Sequence, residues 1–159
     1  MSIIDLTYIF TMEFGIRKAN PKDFSDIHKL IKEFATFIES PEKVTITPEE
    51  MLKDQNYFNC LVATYEEKII GFATYFICYY SWTGKAIYLD DLYVVEKYRG
   101  SGLGNKLFNE VVKIGRDESC YKMKWQVSRW NKKAQEFYRS KGATIEDVEI
   151  NCDLVLQRN

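Results

Sequence analysis

The chain has one histidine, and its four cysteines, Cys60, Cys78, Cys120 and Cys152, stand far apart. A zinc site needs close ligand pairs such as C-x-x-C with histidine partners, so the spacing predicts no metal centre. No disulfide framework is expected either. Each cysteine falls in or beside an apolar run, which reads as a buried, reduced thiol in a cytoplasmic protein. His28 has nothing around it to give it a catalytic role. Neither sign of charge is in excess: 22 Lys and Arg against 23 Asp and Glu leave a net charge of −1. That balance predicts no nucleic-acid and no membrane partner. No apolar run approaches the roughly 20 residues that span a bilayer. The first twelve residues are moderately apolar but carry Asp5 and lack a basic start, so no secretory leader is expected.

What is present suffices for one core. A chain of 159 residues, 46% apolar and 28% charged, has the size and composition of a single domain spanning 1–159. Residues 1–13 read as an amino-terminal extension. Strand-like runs fall at 14–18, 58–65, 69–80, 85–95, 122–127, 144–150 and 153–157. Asn20-Pro21-Lys22-Asp23 opens a helix whose apolar face is Ile27, Leu30, Ile31, Phe34 and Ile38. Thr47-Pro48-Glu49-Glu50 is a capping box for a short helix ending near Asp54. Further helices are expected over 102–117 and 131–141, the last stopped by Gly142. The order β-α-α-β-β-β-α-β-α-β-β predicts a mixed α/β sheet with helices on both faces.

Between one strand and the next helix lies Tyr98-Arg99-Gly100-Ser101-Gly102-Leu103-Gly104. Glycines at alternate positions remove every Cβ on one side of the turn, so backbone N–H groups can close on a ligand oxygen. The following helix points its positive end at the same spot, and together they make a pyrophosphate cradle. A Walker loop needs Gly-Lys-Ser/Thr, and here Asn105-Lys106-Leu107 follows Gly104. A dinucleotide fingerprint needs G-x-G-x-x-G early in a βαβ unit, and this motif is G-x-G-x-G past mid-chain.

Arg99-x-x-Gly102-x-Gly104 resembles the acyl-coenzyme A loop of the GNAT N-acetyltransferases. The likeness covers residues 14–157 and is nearer to the diamine (spermidine/spermine) N1-acetyltransferase branch. It is carried by 25–33, Gly71-Phe72-Ala73, Trp82-Thr83-Gly84-Lys85, 88–94, Trp130-Asn131 and Phe137-Tyr138. It implies a GNAT fold: a mixed, mostly antiparallel sheet of about seven strands. It also implies acetyl transfer from acetyl-CoA to a primary amine of a small cationic substrate, by direct attack, in a homodimer. The alternatives are a GNAT acting on a protein or amino-acid amine, and a non-catalytic acyl-CoA sensor.

Position by position, the resemblance implies that Arg99, Gly100, Ser101, Gly102, Leu103, Gly104 and Asn105 wrap the pyrophosphate. Leu92, Tyr93 and Val94 would pair with the pantetheine arm, one amide there polarising the thioester carbonyl. Asn131 and Ala134 would also touch the coenzyme. Tyr138 matches the general acid. A phenol stays protonated at neutral pH, near enough to a thiol's pKa to reprotonate the departing sulfur. On spacing alone Tyr138 is a core tyrosine, one of eleven in the chain.

Asp90 and Asp91 match an acidic pair at the acceptor amine, where the family usually has Glu then Asp. Regular strand alternation puts them on opposite faces. Asp90 is expected to take the amine proton, through water because it is a methylene shorter than Glu. Asp91 is expected either to attract a cationic substrate or to hold a neighbouring element. Glu39 and Trp82 complete the expected substrate side.

Overall fold

A computed structural model describes residues 13–156. The expected extension over 1–13 lies almost wholly outside the described residues. The chain divides into two compact units, one running to Trp125 and one starting at Gln126.

The first unit is built on five strands: β1 (Gly15–Lys18), β2 (Asn59–Tyr65), β3 (Lys68–Tyr80), β4 (Gly84–Val94) and β5 (Lys122–Lys124). They lie in the order β1-β2-β3-β4-β5. The first four are antiparallel, and β5 joins β4 in parallel. A parallel pair needs a crossover, supplied here by α3 (Leu103–Asp117). The helices α1 (Phe24–Phe37) and α2 (Pro48–Lys53) fill the connection between β1 and β2.

Local chemistry fixes the helix ends. Asn20 and Asp23 form a capping box over the 3-10 turn Pro21–Asp23 that leads into α1. Arg17 on β1 holds Asp23 with two bonds of 2.7 and 2.9 Å. The guanidinium keeps that carboxyl below its usual range. α2 starts with the Thr47–Glu50 box, both bonds of which are made. At the end of α1, Glu39 N–H donates to Thr36 O and Ser40 N–H to Ala35 O. This double closure requires a left-handed residue, and Glu39 takes it with φ 58°.

Two cores flank the sheet. On one face α1 and α2 cover Cys60, Val62, Phe72 and Tyr93 with Phe24, Ile27, Leu30 and Met51. On the other, α3 packs on β3 and β4, with Leu103, Leu107 and Val111 buried. The approach is close at Gly115, where an added Cβ would stand 2.8 Å from Ile87 Cγ2.

The second unit contains α4 (Lys132–Ser140). It ends at Gly142, with φ 82°. Gly142 N–H donates to Arg139 O and Ala143 N–H to Tyr138 O. The expected strands over 144–150 and 153–157 are absent: residues 143–156 carry no strand, and 157 lies outside the described residues. Their alternation is real, but Val148, Ile150, Leu154 and Leu156 stay 77–87% exposed. A strand is stable only in a ladder with one face covered, and among the described residues this segment has no ladder. Among the described residues the sheet therefore has five strands rather than about seven, and β5 stops at Lys124 rather than 127.

Of the cysteines, Cys60 is buried, Cys78 and Cys120 are partly buried and Cys152 is exposed. The expectation of burial therefore fails at Cys152, which lies in the strandless segment. Burial pushes the Cys60 thiol up to about 12, which makes it inert. His28 Nε2–H donates to Ile46 O at 2.9 Å, tying α1 to the loop before α2.

Gly115→Ala should lower the urea midpoint. Overpacking costs about 1–3 kcal/mol, against a gain in helix propensity of about 1 kcal/mol. In an Ile87→Leu background, which removes the β-branched methyl, the same change should become neutral or stabilising.

Candidate active site

The site is built where β4 outruns its neighbour. β5 pairs only with Ala86, Ile87 and Tyr88, whereas β4 continues to Val94. Leu92, Tyr93 and Val94 keep their ladder with β3 and turn an outer backbone edge away from it. An extended ligand arm can add to such an edge as a strand would.

Beyond it the chain makes the glycine turn. Gly100 and Gly102 have φ of 78° and 83°, a conformation other residues adopt only at a cost. A Cβ at either position would meet nothing within 4 Å. Packing does not select glycine here; the backbone conformation does. α3 starts at Gly102 with no side-chain cap and no acid in its first turn. No acidic side chain offsets the positive end of the helix there, which suits an anion. These features fit a pyrophosphate.

Arg99 has a second task. Its Nε donates to Val94 O at 2.8 Å, and its guanidinium lies 4.5 Å from the Phe37 ring centre and 5.3 Å from that of Tyr93. It thereby braces the end of β4 against α1. Ser101 Oγ donates to Tyr98 O at 2.6 Å and closes the turn. Tyr93 points into the α1 core, and its hydroxyl donates to Glu33 at 2.6 Å. Burial, then the bond to Glu33, pushes that phenol up to about 12. Glu33 was not legible as a partner, because α1 and β4 are sixty positions apart.

The acidic pair does not follow simple alternation. The β3–β4 register shifts between Thr74 and Tyr75, so Thr74 faces Asp91 while Tyr75 faces Leu89. Asp90 is the extra residue of a bulge. Asp91 N–H is satisfied by Thr74 Oγ1 at 3.0 Å. The bulge corrects the expectation of opposite faces. Tyr88, Asp91 and Tyr93 follow the face of Phe76, Thr74 and Phe72, and Asp90 is thrown outward beside them.

Electrostatics agree with that placement. Partial burial, reinforced by the charge of Asp90, pushes the Asp91 carboxyl up to about 7. Asp90 is exposed, yet the protein behind it removes enough hydration to hold it above its usual range. Burial raises Tyr88 as well, helped by both carboxylates. Both carboxylates of the pair therefore hold a proton more readily than a solvated aspartate does.

One expected substrate residue is not brought to this pair. Trp82 sits in the β3–β4 turn, 96% exposed. It is separated from Asp90 by the length of β4 from Gly84, on the order of 20 Å. Glu39 is exposed just past the end of α1.

Within the second unit, Asn131 and Ala134 are joined: Asn131 Oδ1 accepts from Ala134 N–H at 3.1 Å and caps α4. Gln135, which the sequence did not single out, donates to Ser128 O and Arg129 O and holds the loop before the helix. Tyr138 is buried with its ring 5.3 Å from Phe137. Among the described residues no group of three or more His, Cys, Asp or Glu could hold a metal. No described helix is long and apolar enough to cross a membrane.

A glycine turn at an uncapped helix start, an open strand edge beside it and a perturbed carboxylate pair make up the candidate site. Comparison with known proteins gives the family. The Acetyltransferase (GNAT) family profile matches residues 24–143. The chain is 34% identical over 140 residues to the thialysine N-epsilon-acetyltransferase of Mus musculus, covering 80% of this chain and 82% of that protein. It is 33% identical over 141 residues to the Homo sapiens spermidine/spermine N(1)-acetyltransferase-like protein 1, covering 82% of this chain and 20% of that one. An aminoglycoside acetyltransferase from a soil metagenome, solved with sisomicin, superposes with a TM-score of 0.74 at 23% identity, covering 91% of this chain and 97% of that one. The chain belongs to the GNAT acetyltransferase family and is an N-acetyltransferase.

The Asp91 carboxyl makes stability depend on pH. The native state keeps its proton to about 7, while an unfolded aspartate loses it near ~3.9. Between those values the native state binds more protons, so stability falls as pH rises. Asp91→Asn should gain stability relative to the parent from about pH 4 to about pH 7, with no further change above. Urea midpoints measured across that range check this.

Proposed function

We propose that the chain moves an acetyl group from acetyl-CoA to the terminal primary amine of a small cationic molecule, a lysine analogue such as thialysine or a short diamine. The observation that carries this reading is the carboxylate pair brought together by the bulge where β4 leaves β5. It is supported by the relatives named for thialysine and for spermidine or spermine.

Acetyl-CoA supplies an activated acyl thioester. Gly100, Gly102, Gly104 and the first turn of α3 hold its pyrophosphate, and Leu92–Val94 present backbone groups to its arm. Asp90, exposed, draws the alkylammonium in. Asp91 accepts its proton, because an ammonium with a pKa near ~10 is not a nucleophile until deprotonated. This assignment moves the base role from Asp90, the sequence expectation, to its neighbour. Tyr138 donates a proton to the leaving thiolate. That role rests on the family resemblance, and on a position seven residues after Asn131, two turns along one helix face. The enzyme works in the cytoplasm, in keeping with its free cysteines, and as a homodimer, as the resemblance implies. It needs no metal and takes no nucleic-acid or membrane partner, in keeping with its net charge of −1.

Thiol release from acetyl-CoA, with thialysine, lysine, putrescine, spermidine, spermine and a peptide as acceptors, tests the reading. Turnover with lysine analogues or diamines is expected; turnover with the peptide alone overturns it. Tyr138→Phe should lower kcat by about 10²-fold with acetyl-CoA affinity unchanged. Gly104→Ala isolates the cradle. An added Cβ there makes only an ordinary 3.9 Å contact with Val94 Cγ2, so thermal stability should hold or rise. Acetyl-CoA binding by calorimetry should weaken about tenfold, about 1.4 kcal/mol.

A further inference from the structure

Beside the acidic pair, and on the same sheet face, two aromatic rings are partly exposed. Phe76 faces Tyr88 across the β3–β4 ladder. Their rings are stacked, with centroids 5.0 Å apart and planes 16° from parallel. Phe76 is 41% exposed and Tyr88 half-buried. The helices that cover Phe72 and Tyr93 on this face leave this part of it open. One strand position on, the bulge sets Asp90 and Asp91, whose charges are felt at the Tyr88 hydroxyl. Further along, Lys122 and Lys124 lie over the ring of Tyr80, at 4.4 and 5.3 Å from its centre. The face thus runs from acid through aromatic to base.

We infer that the stacked Phe76–Tyr88 pair is the wall against which the alkylammonium chain of the acceptor lies, making both residues determinants of substrate specificity. This rests on the small-amine reading above. Charge complementarity selects the occupant. A cation within about 6 Å of an aromatic face is attracted by it, and methylenes of the same chain bury on the ring. The carboxylates at one end require the positive head to lie there. The lysines at the other end repel any positive group that reaches them, so the wall fits a chain too short to span from the carboxylates to the lysines rather than a long polyamine.

The test compares Phe76→Ala and Tyr88→Leu with the parent and with Tyr88→Phe, using thialysine and putrescine as acceptors. The wall predicts a KM for the amine raised about tenfold in the first two variants, with the KM for acetyl-CoA and the melting temperature unchanged. Tyr88→Phe, which keeps the ring, should restore the parent value. Parent turnover with amine KM unmoved in both variants overturns the wall and leaves the small-amine reading standing. A parent that binds acetyl-CoA yet acetylates no small amine overturns both. A melting temperature lowered along with both KM values shows a merely structural role and also overturns the wall.

Discussion

One irregularity in the ladder between β3 and β4 organises the active face. At Thr74 the sheet gains an extra residue on β4, and the Thr74 hydroxyl takes the N–H that the bulge would otherwise orphan. Before the bulge, the β4 residues on α1's side are Ala86 and Tyr88; after it they are Asp91 and Tyr93. The irregularity lets Ile87 pack on α3 while Tyr93 packs beneath α1. It also sets two carboxylates side by side without burying either completely. Their mutual repulsion, added to partial desolvation, gives one of them an affinity for protons near neutrality. A regular ladder would have sent one of the two into the opposite core.

The coenzyme side depends on a different use of backbone. Gly100 and Gly102 are required by their left-handed conformation and look onto open space. Gly71 and Gly115 are required because Tyr93 O and Ile87 Cγ2 would stand 2.9 and 2.8 Å from an added Cβ. The first kind shapes a ligand cradle; the second brings strands and α3 close enough to hold it still. Arg99 joins the two, since it leaves the loop to bind Val94 O and to lie over Phe37.

Much of this was legible in the sequence because the signals are local. The Thr47 and Asn20 capping boxes, the glycine alternation and the amphipathic runs each act within a few residues, and the helices and first four strands fall within a residue or two of expectation. The bulge was not legible, because register is set by the partner strand, and the period-two rule sent Asp90 and Asp91 apart. The Glu33–Tyr93 bond joins residues of distant elements, which no local pattern reports. The last two expected strands rested on alternation alone, and alternation without a ladder partner leaves Val148, Ile150, Leu154 and Leu156 exposed. Trp82 entered by resemblance, and the β3–β4 turn holds it far from the acids.

The most direct measurement of the central claim is a carboxyl-carbon NMR titration of the aspartates in the folded protein and in an Asp90→Asn variant. One carboxyl, that of Asp91, should titrate near about 7. Its midpoint should fall when the neighbouring charge is removed. Both aspartates titrating near ~4, as independent solvated carboxylates do, with no change on substitution, would contradict the account.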